Sequence, residues 1–203
     1  MSGREGVIRF RFEHRREALV EGLAEVAAEL AGWRRVLIGL GLVGRDPARY
    51  GGSGFGNLSA RVGADAFLIT GSQTGHLRDL DLGGFALVES WVAAEHRLIS
   101  RGLVEPSSES LTHAALYEAS PAVGAVFHVH SPALWERRGA PGLPTTSAGI
   151  DYGTAEMAAE VAGLCRLAPG PAVVAMGGHA DGILAYGPDP GTTARTLLAA
   201  LAA

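Results

Sequence analysis

Lysine is absent from this chain: all 17 of its basic residues are arginine. With no lysine amine, a Schiff base to a carbonyl substrate cannot form, which excludes the covalent route of carbonyl activation. An enzyme of carbonyl chemistry built from this sequence needs a metal. Cysteine occurs once, as Cys165, so no intramolecular disulfide is possible. The opening Met1-Ser2-Gly3-Arg4-Glu5 is charged where a secretory signal would carry an apolar core, and both features lead us to expect a reducing, cytoplasmic setting. Long apolar runs are missing as well. The longest, Val36 to Val43, is less than half of the roughly 20 residues needed to cross a bilayer and is broken by Gly39 and Gly41, so no membrane partner is expected. The net charge of −4 and pI near 6.0 leave no excess of positive charge for a basic face, which argues against nucleic acid as a partner.

What the chain does have is apolar mass: 47% of its 203 residues are hydrophobic, enough for one sizeable core. We find no internal repeat, low-complexity tract or dividing linker, and expect a single domain over residues 1–203. The pattern alternates helix and strand. Leu19, Leu23, Val26, Ala27 and Leu30 recur at helical spacing and predict a helix over 15–30, stopped near Gly32. Residues 58–62 and 66–70 predict two strands joined by Gly63-Ala64-Asp65. Helices are expected over 87–99, which would put His96 on a helix surface, and over 108–119, capped by Ser107 or Ser108. His14 is likewise read as a helix-surface residue. Strands are expected over 125–129, 172–176 and 182–186, and a last helix runs from Pro190, at its first turn, to Leu201.

The most telling stretch is Phe127-His128-Val129-His130. A strand repeats every two residues, so His128 and His130 project from one face and can grip one cation. Such a pair also serves as a hydrogen-bonded or solvent-facing pair with no metal. Ser131-Pro132 ends the strand just beyond, at the kind of position where sites are built. His179, in Gly177-Gly178-His179, would make a third nitrogen ligand and leave a position open for substrate, as in catalytic zinc sites. Glu109 supplies a nearby carboxylate, and His113 a helical imidazole able to hydrogen-bond close by.

Three short segments read as anion-binding turns: Gly56-Asn57-Leu58-Ser59, Thr70-Gly71-Ser72-Gln73-Thr74-Gly75 and Ser107-Ser108. Glycine lets backbone N–H groups converge on an oxyanion, and neutral Ser, Thr and Asn donors add to them, so a phosphate can be held without lysine. Taken singly, each is also an ordinary tight turn or helix cap.

In this order, Gly56-Asn57-Leu58-Ser59-Ala60-Arg61, the turn ending at Gly75, Glu105-Pro106-Ser107-Ser108-Glu109 with His113, Ala125-Val126-Phe127-His128-Val129-His130, and His179 with Gly182 resemble the class II aldolase and adducin head-domain family, the L-fuculose-phosphate aldolase type included. The resemblance covers most of the chain. It implies a three-layer α/β/α sandwich with a mainly antiparallel central sheet, assembled as a homotetramer with active sites at subunit interfaces. It further implies a divalent metal, usually zinc (Zn2+), held by His128, His130 and His179. Glu109 would be the catalytic acid/base and a metal ligand at rest. Gly56, Asn57, Thr74, Gly75, Ser107 and Ser108 fall on phosphate-binding positions, and the substrate implied is a small sugar phosphate. The expected reaction is aldol cleavage of a ketose 1-phosphate through a metal-stabilised enediolate.

Epimerases and thiosugar-phosphate dehydratases of the same family, and its non-catalytic adducin-like scaffolds, are the alternatives. The resemblance implies a glutamate after the His-x-His pair in the dehydratases and an aspartate at the Glu109 position in the epimerases, so Glu109 favours aldol chemistry. The intact histidines argue against a scaffold. Three features depart from the family pattern. The segment Trp135 to Tyr152 is short, with no tyrosine at Pro144-Thr145-Thr146-Ser147 to match the aldolases' neighbouring-subunit tyrosine, and Tyr152 aligns with the start of the next helix. His179-Ala180-Asp181-Gly182 has two residues more than a plain His-Gly pair, which brings Asp181 within reach of the metal. Relatives also continue beyond the point matching Ala203, from which a more open pocket is expected.

Overall fold

A computed structural model describes residues 7–92 and 95–203. The charged opening at residues 1–5 therefore lies outside the described residues. Among the described residues ten strands alternate with five α-helices: β1 (Arg11–Arg16), α1 (Ala24–Gly39), β2 (Gly44–Arg45), β3 (Gly54–Phe55), β4 (Asn57–Val62), β5 (Ala66–Thr70), β6 (Phe85–Val92), β7 (Arg97–Gly102), α2 (Ser110–Ala119), β8 (Ala125–His130), α3 (Pro132–Glu136), α4 (Ala155–Leu167), β9 (Ala172–Ala175), β10 (Gly182–Gly187) and α5 (Pro190–Ala202). Eight strands form one sheet in the order β1-β7-β6-β5-β4-β8-β10-β9, and β2 and β3 form a small separate ribbon. Only the β1–β7 edge pair is parallel; every other neighbour in the large sheet is antiparallel. The expected α/β/α sandwich with a mainly antiparallel sheet is thus the observed architecture.

The period of two divides the sheet's side chains between two cores. Leu58, Ala60, Phe127, Val129, Ile183 and Ala185 pack with Leu30 and Leu37 of α1 and Leu197 of α5. Phe67, Ile69, Val126, Leu184 and Tyr186 pack with Leu111 and Leu116 of α2 and Val161 and Cys165 of α4. Every residue of β8 is buried, which is why its sequence carries almost no polar alternation. The two polar exceptions, His128 and His130, share the face of Val126, toward α2 and α4.

Several expected elements are corrected. The helix expected over 15–30 is α1, shifted to Ala24–Gly39. Arg11–Arg16 instead forms the edge strand β1, with His14 bonded through its ring nitrogens to Ser100 Oγ (3.0 Å) and the Gly102 carbonyl (3.1 Å), so His14 is not on a helix. Gly32 does not stop α1. A glycine inside a helix costs about 1 kcal/mol, which burial of Leu30 and Leu37 on the same helix exceeds. The helix expected over 87–99 is the β6–β7 hairpin, and His96 sits in its turn with φ of 51°. Apolar residues there fit either period, and pairing with β5 on one side and β1 on the other decides for strand. Helix α2 begins at Ser110 with Glu109 as its N-cap residue, so neither Ser107 nor Ser108 is the cap. Pro190 does open α5, behind an Asp189 cap. Strand β1, ribbon β2–β3 and helix α3 were not among the expected elements, and the helix expected to start near Tyr152 is α4, which begins at Ala155. Among the described residues no helix is long and apolar enough to cross a membrane.

Candidate metal centre

Strand β8 delivers His128 and His130 side by side, with ring centroids 5.0 Å apart. Its end is firmly set: the His130 N–H donates to the Leu42 carbonyl, and Ser131 caps α3, which starts at Pro132. His179 arrives from the tight connection between β9 and β10, where its N–H donates to the Met176 carbonyl and the Gly182 N–H to its own carbonyl. Glycine is needed at 178, because an added Cβ would collide with the Ile150 backbone. The outcome is one cluster. One ring nitrogen from each of His128, His130 and His179 lies within 4.8 Å of the others, and all three residues are buried.

The details fit a metal. His128 Nδ1 donates to the Ile183 carbonyl at 3.2 Å, which leaves Nε2 as its basic nitrogen. His130 Nε2 and His179 Nε2 stand 3.1 Å apart, close to the roughly 3.3 Å between two tetrahedral ligands at zinc–nitrogen distances. Burial pushes the His130 imidazole down to about 3, opposed by Asp181 and helped by Arg49. Burial, with the neighbouring His128, His130 and Arg9, also holds His179 well below the ordinary range. Neutral imidazoles are the ligating form.

Two tyrosines flank the cluster. The Tyr50 ring meets His130 edge-on at 4.5 Å, and the Tyr152 ring lies 4.6 Å from His179 beneath the Arg9 guanidinium. The Tyr50 hydroxyl donates to Asp181 Oδ2 and accepts from Arg49 Nη2, both at 2.6 Å. Asp181 thus reaches the edge of the site through Tyr50. Below the cluster, His113 Nδ1 and the Tyr117 hydroxyl each lie 2.7 Å from Ser59 Oγ, so His113 does hydrogen-bond close by.

Next to the metal cluster is a cavity of about 40 Å³ lined by Gly54, Phe55, Gly56, Asn57, the 71–75 turn, Ser107 and Ser108. All six residues expected to hold phosphate, Gly56, Asn57, Thr74, Gly75, Ser107 and Ser108, line it. Its lining carries no charged side chain. Gly75 is required by close approach: an added Cβ would lie 2.6 Å from the Gly44 carbonyl. Asn57 Oδ1 is buried with no hydrogen-bond partner among the described residues. Glu109, 1% exposed, follows directly on Ser108.

Known proteins are similar to this chain in sequence and in fold. The profile of the Class II Aldolase and Adducin N-terminal domain matches residues 47–200. The chain belongs to that family. The family's enzymes use a divalent metal, and the three histidines form a site for one. A methylthioribulose-1-phosphate dehydratase from Acidiphilium cryptum (strain JF-5) is 36% identical over 117 residues, 57% of this chain. The match spans about half (51%) of that relative's length. Among solved structures, a sugar-phosphate aldolase from Thermotoga maritima superposes with a TM-score of 0.65 at 16% identity, covering 89% of this chain and 93% of the other. The L-fuculose-1-phosphate aldolase from Thermus thermophilus gives 0.57 at 21%, covering 88% of each. At such identities these two structures establish the fold.

Sequence reasoning missed Tyr50, Arg49 and Arg34. The first two lie between Pro47 and Gly51, outside every motif named from the sequence. Arg34 lies beyond the helix end expected near Gly32, yet it sits on α1 and is 2% exposed. A buried cation among apolar helix positions carries no local signature.

Proposed function

We propose that this protein is a metal-dependent lyase that holds a phosphorylated ketose by its phosphate and cleaves it by aldol chemistry. The observation that carries this reading is the junction of the two sites: Asn57, in the neutral cavity, pairs across β4–β8 with His128 of the metal cluster. A substrate anchored in the cavity therefore presents its carbonyl end to the histidines. A divalent metal, zinc in this reading, held by His128, His130 and His179 with Glu109 as a resting ligand, supplies Lewis-acid stabilisation of the charge developing on the carbonyl oxygen.

The remaining steps belong to the chain. Gly56, Asn57, Thr74, Gly75, Ser107 and Ser108 bind and orient the phosphate through neutral donors. Glu109 takes the proton from the hydroxyl on the carbon being released, and the carbon–carbon bond breaks to leave an aldehyde. The same carboxyl then returns that proton to the carbon left behind. We place the active form as a homotetramer with sites at subunit interfaces, in a reducing cytoplasm; the family resemblance and the buried free thiol of Cys165 support these readings.

A specific observation favours a second reading, elimination of water: the similar protein from Acidiphilium cryptum carries a dehydratase name. Dehydration starts from a proton lost beside the same carbonyl and expels a hydroxyl from the next carbon. Incubating the metal-loaded protein with ketose 1-phosphates and resolving products by NMR separates the two. Dihydroxyacetone phosphate plus an aldehyde supports cleavage, a dicarbonyl phosphate supports dehydration, and neither product across the series overturns the lyase reading.

A further inference from the structure

The cavity assigned to phosphate has no cation in its lining, yet a cation lies directly behind it. Arg34, on α1, is among the largest fully buried side chains of the protein. Its Nη2 donates to the Thr74 carbonyl at 2.9 Å, and its Nη1 to the carbonyls of Leu77 (2.6 Å) and Arg78 (3.2 Å). Among the described residues no carboxylate comes within 4.0 Å of it; the nearby Asp79 is taken by Arg35 at 2.8 Å. The direct partners of Arg34 are therefore carbonyl dipoles, with Asp79 acting on it only from beyond contact distance, an arrangement that leaves room for an anion nearby.

The peptide that Arg34 grips is informative. The Thr74 carbonyl belongs to the Thr74–Gly75 peptide, and no peptide among the described residues is cis. In a trans peptide the carbonyl and N–H point oppositely. Holding the Thr74 oxygen toward Arg34 turns the Gly75 N–H away from it, and Gly75 lines the cavity on the other side. No backbone hydrogen bond among the described residues engages the N–H groups of Gln73, Thr74 or Gly75, whereas those of Gly71 and Ser72 donate to Gly84 and Glu105. The turn is thus fastened at its start and by its carbonyls, with three donors left at its tip.

We infer that Arg34 is the positioning cation of this anion site: it aligns the 74–75 peptide and supplies, through that peptide, the positive charge that the lining lacks. The ligand class is a phosphoryl group or similar oxyanion. The inference rests on the phosphate reading of the cavity. It makes Arg34 a residue that acts on the substrate's phosphate without touching it.

The test is the affinity of the metal-loaded protein for inorganic phosphate, measured by calorimetry for wild type, Arg34→Lys and Arg34→Met, with metal content measured alongside. Lysine keeps the charge but loses the planar guanidinium that spans the three carbonyls; methionine removes both. We expect a full metal equivalent in each, phosphate binding weakened severalfold in Arg34→Lys and by more than about tenfold in Arg34→Met. A purely packing role would leave phosphate affinity unmoved in the folded variants. Unchanged affinity in a folded, metal-loaded Arg34→Met overturns the inference and leaves the phosphate reading standing. Should Arg34→Met fail to fold, unchanged affinity in Arg34→Lys does the same. Wild type that holds its metal but binds no phosphate overturns the phosphate reading, and the inference with it.

Discussion

Asn57 and His128 stand opposite each other where β4 pairs antiparallel with β8. One belongs to the neutral cavity and the other to the histidine cluster. Because both residues are buried and locked in register at the centre of the sheet, the spacing between the two sites is rigid. A one-residue slip would turn His128 to the opposite core. The separation between the Asn57 side of the cavity and the histidine cluster is therefore set by sheet register.

His128→Ala should abolish metal binding and turnover together. Losing one of three nitrogens should weaken metal affinity by more than about 100-fold, the upper end of what loss of a supporting outer partner costs. Elemental analysis after dialysis checks this. Retention of a full metal equivalent would remove His128 from the ligand set.

Glu109→Gln keeps size and hydrogen bonding while removing the proton-carrying group. Metal content should stay near wild type if the three histidines suffice, while the catalysed rate falls by roughly 10²–10⁴. A rate within about threefold of wild type, measured on the same substrate, would move the proton transfer elsewhere.

Tyr50→Phe leaves the ring against His130 but deletes the hydroxyl that joins Arg49 to Asp181. Hydrogen bonds to charged groups are worth about 1.5–3 kcal/mol, and partial exposure of Tyr50 places the expected loss at the low end. We expect a lower Tm and weaker metal binding, since the hydroxyl ties the turn carrying His179 to the segment covering His130. Equal metal affinity and Tm would show that this link does not hold the centre in place.

His113, His130 and His179 all have folded-state pKa values held below the ordinary imidazole value, chiefly by burial. A depressed imidazole is neutral when folded and protonates first when unfolded. In metal-free protein its contribution is therefore intact above about pH 6.5 and is lost as pH falls from there toward the folded value, about 3 for His130. Each group adds a slope approaching about 1.4 kcal/mol per pH unit within that window. Urea unfolding in chelator at about pH 7.5 and about pH 5 measures it. Equal stability at the two values would mean that these imidazoles are not buried neutral.

The local chemistry was legible in the sequence. The two-residue period of 125–130, the stop at Ser131-Pro132, His179 behind its paired glycines and the three glycine, serine and asparagine turns named every residue of the histidine cluster and six lining residues of the cavity. These features are short-range, set by side-chain alternation and turn stereochemistry, so the sequence by itself determined them. It also determined the absence of a lysine route.

Only tertiary structure decided the rest. Residues 85–102 carry a pattern compatible with helix or hairpin, and pairing with β5 and β1 resolved it. Helix α1 runs through Gly32 because burial along its length outweighs one residue's propensity. Tyr50 meets Asp181 across 131 residues, and Arg34 meets Thr74 across 40. Such contacts depend on where the packed sheet and helices place distant segments. No local periodicity encodes them.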